Sequence, residues 1–276
     1  MIQYVISEKF NKMSVRDFLE YFKISQKKIN WIINDKLYLV NGAYSETLNT
    51  NDVLTFHDEC FIESLVEPIY RNIEVLYQDE HILVVDKPKN LIIHGEDDIT
   101  LDKIVAGYLD TMGLDPIPRH LYRLDKDTTG CMLYALNPLS LAKLSFDLEN
   151  KKLTKTYLAL VSGHFENKNG IINSKIAKDR HNNNKMVISK SGKNAVTNYE
   201  VLKNDEKNSL LRVSIETGRT HQIRVHMSSI GHPIIGDELY GKPNNLALQL
   251  QAETVTFFHP FMKKSLTIKV RLPIHL

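Results

Sequence analysis

From residue 156 to residue 272 the chain keeps returning to short apolar runs rich in β-branched residues, and this rhythm limits its fold more than any other feature. Strands are expected over 156–161, 195–202, 210–215, 248–258 and 266–272. One helix, over 220–230, interrupts the series, with Ile223, Met227 and Ile230 forming an apolar stripe and Gly231 beyond its end. Upstream, two β-rich runs within 74–88 are separated by Asp79-Glu80-His81, which reads as a hairpin. A buried strand is expected over 132–136. Helices are expected over 100–112 and over 138–148, where Leu139, Leu141, Leu144 and Phe146 are available for burial. Many strands with few helices between them imply an α+β chain with a mixed, largely antiparallel sheet.

The beginning of the chain follows another pattern. Residues 15–22 carry helical spacing behind Ser14 as N-cap, and a second helix is expected over 25–32. A short strand over 37–42 ends in an Asn41-Gly42 turn, and another strand covers 53–56. A linker around 65–68 then divides the chain into a small module, residues 1–67, and a larger domain, residues 68–276. A length of 276 residues, 42% hydrophobic and 25% charged, has room for both. There is no internal repeat.

No apolar run approaches membrane-spanning length, and the start lacks the basic-then-apolar pattern of a signal peptide. Cys60 and Cys131 are the only cysteines and have no metal-type spacing, so a reducing cytoplasm is the expected setting. The net charge is only +2, but it is unevenly spread. Seven basic residues face three acids between Lys9 and Lys36, while six acids and no Lys or Arg follow between Leu37 and Glu67. Six basic residues, among them Lys178, Arg180 and Lys185, face Asp179 alone between Asn173 and Lys193. Local basic patches on a near-neutral chain suit phosphate contacts at chosen places, or are simply solvated faces. Within the second patch, Asn182-Asn183-Asn184 reads as a mobile loop.

Chemistry-bearing residues gather in three segments. Leu121-Tyr122-Arg123-Leu124-Asp125-Lys126-Asp127-Thr128-Thr129-Gly130 places carboxylates in a turn-forming stretch between apolar runs. On spacing alone Asp125 is either a solvated turn residue or a working acid, and Asp127 is a turn or capping residue. Arg224 stands on the expected helix, as a surface cation or as a partner for such an acid. Tyr157, in the run Lys155 to Gly163, is a core tyrosine or a site residue. His221 and His226 are five apart, which does not put them on one helical face, and no third ligand is evident, so no metal is expected. There is no Gly-rich phosphate loop and no nucleotide fingerprint, so no cofactor is expected.

Together with the Asp79 to Pro88 run, these segments resemble the RluA-like family of RNA pseudouridine synthases. The resemblance implies a cofactor-free isomerase that breaks the glycosidic bond of a uridine, turns the uracil and rejoins it through C5. It implies Asp125 as the catalytic carboxylate, acting on the sugar by attack or by proton removal while positive character develops at C1′. It further implies Arg224 as its ion-pair partner and Tyr157 against the uracil for proton transfer at C5. Ile223 would pack under the flipped base. Arg123 would fill the space that base leaves or hold a phosphate, and Lys178, Arg180 and Lys185 would grip RNA. The chain departs from the family pattern at Asn90, where Gly is usual, at Gly95, where Pro often follows His94, and at Tyr122, where His is commonest. Two helices followed by a strand into Val40-Asn41-Gly42 resemble the αL RNA-binding module of ribosomal protein S-four type, as a degenerate copy. The expected partner is structured RNA, large-subunit ribosomal RNA ahead of transfer RNA, and the expected form is a cytoplasmic monomer. The rivals are a non-catalytic ribosome-assembly factor on the same fold and a nucleoside or glycoside hydrolase using Asp125.

Overall fold

The computed structural model describes residues 1–242, 245–262 and 264–276. The first strand, β1 (Ile2–Val5), is followed by helices α1 (Val15–Tyr21) and α2 (Gln26–Asn34) and strands β2 (Tyr38–Val40) and β3 (Val53–Phe56). The helices begin where expected because Ser14 and Ser25 accept the amide hydrogens of Asp17 and Lys28. Asn41 and Gly42 both have positive φ, 51° and 81°, as a tight Asn-Gly turn requires. The strands form an antiparallel sheet in the order β1-β3-β2. β1 went unread in the sequence because Ile2-Gln3-Tyr4-Val5 is too short to show its period.

These elements enclose an aromatic core of Phe10, Phe18, Phe22, Tyr38 and Phe56, all at most 1% exposed. That core also takes in Leu139, from the far side of the linker, and Phe261 packs against it. Phe261 lies on Phe22 at a ring separation of 4.6 Å and stacks on Tyr4 and His81 at 5.9 and 3.7 Å. Arg119 adds a polar tie, gripping Glu63 through Nε at 2.7 Å and reaching Asp115 at 2.7 Å.

The remaining chain runs through β4 (Glu74–Gln78), β5 (Ile82–Lys87), α3 (Leu101–Thr111), β6 (Arg119–His120), β7 (Thr129–Ala135) and α4 (Pro138–Glu149). It continues through β8 (Thr154–Ser162), β9 (Asn169–Asn173), β10 (Ile176–Lys178), β11 (Met186–Ile188), β12 (Val196–Asn204) and β13 (Asn208–Ile215). It ends with α5 (Gln222–Ser229), β14 (Leu250–Phe258) and β15 (Ser265–Lys269). Ten of these strands make one sheet, with main path β4-β5-β7-β14-β8-β13-β12-β9, while β10 and β11 form a separate hairpin. Every pairing in the large sheet is antiparallel except that of β7 with β14. The mixed, largely antiparallel α+β fold is therefore present. The basic 173–193 stretch is organised as the β10–β11 hairpin with Asn183 and Asn184 at its turn, and β6 and β9 are additional strands. One expected core position differs: Ile230 is 38% exposed, because α5 stops at Ser229 and Ile230 is its C-cap, beyond the buried Met227.

The single parallel pair is the sheet's centre. Ala252 of β14 sits opposite Gly130 of β7 on one side and Tyr157 of β8 on the other. Gly130 has φ +109°, and a Cβ there would lie 2.3 Å from the Ala252 carbonyl oxygen, so only glycine allows this approach. The row of backbones brings the start of β7, and the 121–128 loop feeding it, within two strands of Tyr157.

The β4–β5 turn is locked by Asp79, whose carboxylate accepts from the amides of His81 and Ile82 at 2.8 and 2.9 Å, from the Tyr77 hydroxyl, and from His259 Nε2 at 2.9 Å. Burial alone would raise its pKa from the ordinary 3.8. The donors from His259, Tyr77 and His81 outweigh burial and hold it at about 2. A carboxyl depressed on folding contributes stability above its unfolded pKa and loses it as pH falls through the folded value. We therefore expect wild type to lose about 2 kcal/mol more than Asp79→Asn between pH ~4 and ~2 in urea unfolding. Parallel pH profiles for the two proteins would contradict this.

Candidate active site

The 121–128 loop, the end of β13, α5 and residues 236–239 and 245–250 surround an open cleft of about 2010 Å³. Asp125, Arg123, Tyr157, Ile223 and Arg224 all line it, so five of the eight residues singled out in the sequence meet in one place. Lys178 and Arg180 do not line it; they are exposed on and beside β10. Lys185 does not line it either; its Nζ stands 5.4 Å from the Tyr240 ring centre. Among the described residues, seven Lys or Arg and four Asp or Glu line the cleft, a surplus that favours a polyanion.

The loop carrying Asp125 is pinned from beneath by Lys87. This side chain, fully buried at the end of β5, spends its three N–H donors on the carbonyls of Pro88, Leu91 and Lys126 at 2.9, 2.7 and 2.8 Å. Burial lowers its pKa to about 8, with Asp127 and Asp125 acting in the other direction. The amide of Thr128 donates to the Asp125 carbonyl at 3.1 Å and closes the turn. The carboxylate itself stays reachable, 26% exposed.

Arg224 is 8% exposed and faces two acids. Its Nε and Nη2 donate to Asp237 Oδ2 and Oδ1, both at 2.8 Å, a bidentate fork. Its Nη1 stands 3.7 Å from Asp125 Oδ2, an ion pair too long for a hydrogen bond. Burial works against the guanidinium charge, and Asp237 and Asp125 more than restore it. Asp237 is fully buried and also caps its own turn, accepting from the amides of Leu239 and Tyr240 at 3.1 Å each. It takes the strongest face of Arg224 and leaves Asp125 with positive charge nearby but its oxygens uncommitted to that arginine.

Tyr157 is 5% exposed. Burial, and after it the Asp125 charge, push its hydroxyl well above the ordinary phenol range, so it is a neutral phenol. Beside it, Lys155 rests its ammonium 3.9 Å from the centre of the Tyr122 ring, and burial lowers its pKa to about 8. Tyr122, which stands where the family usually has His, donates to the Cys131 carbonyl at 2.9 Å.

His221 opens α5 with φ +55°. The Tyr240 hydroxyl accepts from the Met186 amide at 2.8 Å and shares a hydrogen bond with His221 Nδ1 at 2.9 Å. Burial lowers the His221 pKa, and the Asp125 charge opposes this. His226 lies elsewhere, fully buried, with its ring nitrogens on Thr197 Oγ1 and the Ser174 carbonyl at 2.9 and 3.0 Å. A different trio, His94, Asp102 and His120, brings ligand-type atoms within 4.8 Å of one another, the two histidines lining the cleft and Asp102 buried behind them.

Sequence reasoning missed Asp237, Tyr240 and the anchoring of Lys87. A signal did exist, because a buried arginine requires an acid, and Asp237 follows Gly236 in a turn after an apolar run. Nothing in the spacing chose Asp237 over other acids. For Lys87→Met we expect about 2–4 kcal/mol lower stability, from three carbonyls, that of Leu91 buried, left without the ammonium. Urea denaturation checks this, and a change below ~1 kcal/mol would refute the anchoring.

Comparison with known proteins places the chain in a family. Residues 81–229 match the family model for RNA pseudouridylate synthases. The RNA pseudouridine synthase YhcT of Bacillus subtilis is 35% identical over 241 residues, covering 83% of this chain and 80% of its own. The ribosomal large subunit pseudouridine synthase D of Escherichia coli K12 is 33% identical over 224 residues, covering 79% of this chain and 68% of its own. The structure of human RNA pseudouridylate synthase domain containing 1 superimposes with a TM-score of 0.64 at 26% identity, covering 75% of this chain and 87% of that one. With Asp125, Tyr157 and Arg224 in one cleft and these relatives spanning most of its length, the chain belongs to the RluA-like RNA pseudouridine synthase family and is an RNA-modifying isomerase.

Proposed function

We propose that this enzyme converts chosen uridines of large-subunit ribosomal RNA to pseudouridine, with Asp125 as the catalytic carboxylate. The observation that carries the reading is the arrangement of Asp125, partly exposed in the cleft, 3.7 Å from a guanidinium whose Nε–Nη2 fork is taken by Asp237. A carboxylate in a dehydrating pocket needs positive charge nearby to stay ionised, yet its oxygens must be free for the sugar. The choice of ribosomal RNA follows the name of the Escherichia coli relative.

In this reading the target uridine leaves its stack and enters the cleft, with Ile223 packing under the base and Arg123, exposed at the rim, holding a phosphate or filling the gap. Asp125 acts on the sugar as the glycosidic bond breaks, its charge opposing the positive character at C1′. Tyr157 lies against the uracil. As a neutral phenol it accepts the C5 proton only while passing its own on. Lys178, Arg180 and Lys185 on the β10–β11 hairpin contribute phosphate contacts beyond the cleft. We read residues 1–67 as an accessory RNA-binding module of the S-four type and 68–276 as the catalytic domain. A reducing cytoplasm fits two buried, unpaired cysteines, and no helix among the described residues is long and apolar enough to cross a membrane.

Tritium release from RNA labelled at C5 of uridine tests the reaction directly. Wild type is expected to release it from unmodified ribosomal RNA in preference to transfer RNA, and Asp125→Ala from neither. Release by Asp125→Ala would remove Asp125 from the chemistry, and free uracil in the products would favour a hydrolase.

Asp237→Asn should keep RNA affinity within about threefold while turnover falls about 10- to 100-fold, because Arg224 is freed to turn its fork onto Asp125. Equal losses in binding and turnover would contradict the separation of roles between the two acids.

A further inference from the structure

One construction on the cleft wall has no part in the reaction described above. Asp102, in the first turn of α3, is buried, and its Oδ1 accepts from the Tyr134 hydroxyl at 2.9 Å. Its Oδ2 lies 3.0 Å from His120 Nδ1. An ionised carboxylate can only accept, so Nδ1 of His120 carries the hydrogen and the ring is held from the core. His94 then lies on His120, ring centres 5.1 Å apart and planes 22° from parallel, and Tyr134 meets the same ring edge-on at 6.3 Å. His94 is exposed, and both imidazoles line the cleft that holds Asp125.

Asp102 satisfies the buried Tyr134 hydroxyl, but that needs only one of its oxygens; the other orients a partly exposed imidazole, on which an exposed ring lies. What it produces is a preorganised flat surface facing the cleft. Unpaired RNA bases are recognised by stacking on aromatic side chains, histidine included, and such platforms work best when their rotamers are already fixed. Two exposed cations share the same cleft, Lys89 five residues before His94 and Arg123 three residues after His120. They suit the phosphates on either side of a base stacked there.

We propose that His94, backed by His120 and Asp102, is a stacking subsite for an unpaired base of the RNA next to the target uridine. The proposal rests on the RNA-modifying reading above. His94 meets the base, and His120 and Asp102 act as positioning residues. A divalent metal is the competing occupant, but it would have to take Asp102 Oδ2 from the His120 Nδ1 hydrogen or share Oδ1 with the Tyr134 hydroxyl.

The test compares wild type, His94→Ala, His94→Phe and His94→Trp, using tritium release from whichever unmodified RNA pool wild type accepts, with Asp125→Ala as the inactive control. His94→Ala is expected to raise KM about tenfold, most of the loss falling in KM rather than kcat, and Phe or Trp to bring KM back to within about twofold of wild type. Unchanged KM in His94→Ala, or Phe and Trp no better than Ala, would overturn the subsite. So would zinc(II) binding to wild type, measured calorimetrically with the metal alone, that disappears in both His94→Ala and His94→Phe. If wild type releases no tritium from any pool, or Asp125→Ala releases it equally, the functional reading itself fails, an outcome distinct from failure of the His94 subsite.

Discussion

The site depends on one buried cation shared unequally between two acids. A guanidinium as enclosed as that of Arg224 is tolerated only with close negative charge, and Asp237 supplies it in the strongest geometry available, two parallel hydrogen bonds at 2.8 Å. The remaining edge points to Asp125 at 3.7 Å. Had Asp125 been the bidentate partner, its oxygens would have been consumed by the arginine. The two-acid arrangement separates two jobs, holding the cation in place and using its field. Asp237 is itself fixed by the amides of Leu239 and Tyr240, so the order passes from a backbone turn to a side chain and then to the cleft.

The sheet supplies the second half of this geometry. Gly130, Ala252 and Tyr157 stand in one row across β7, β14 and β8, and the β7–β14 contact is close because position 130 has no side chain. The loop before β7 is then tied down by Lys87, whose three donors bind two segments together through carbonyls of Pro88, Leu91 and Lys126. A buried lysine is normally expensive. Here its cost is offset by complete hydrogen bonding, and the return is a turn that cannot drift relative to β5. Tyr240 joins the β10–β11 hairpin to the same centre by accepting from Met186 and sharing a hydrogen bond with His221, with the Arg224 guanidinium 5.2 Å from its ring. The basic hairpin, whose turn residues Asn183 and Asn184 reach the cleft, thus has a direct hydrogen-bonded route to the helix that carries Arg224.

The N-terminal core and the large sheet meet through few but large contacts. Phe261, on the turn between β14 and β15, sits among Tyr4, Phe10 and Phe22, and Leu139 of α4 completes the same apolar cluster. The strand that pairs with Gly130 and Tyr157 therefore ends in the ring that packs on the first helices.

What the sequence by itself determined was local. Period-2 runs, serine caps and the Asn41-Gly42 turn fixed most strands and helices, because each is decided by neighbouring residues competing for backbone hydrogen bonds and for one apolar face. Three segments whose residues match a known family in order were enough to nominate Asp125, Tyr157 and Arg224, and the cleft does bring these three together. The tertiary structure decided which partners meet across long separations. Asp237 rather than another acid holds Arg224, Lys87 reaches the carbonyl of Lys126, Asp102 orients His120, and Ile230 falls off the end of α5 into solvent. These pairings depend on sheet register and on how closely two backbones approach, and chain spacing carries no record of either. A buried charge announces that it needs a partner, but only the packed chain selects one.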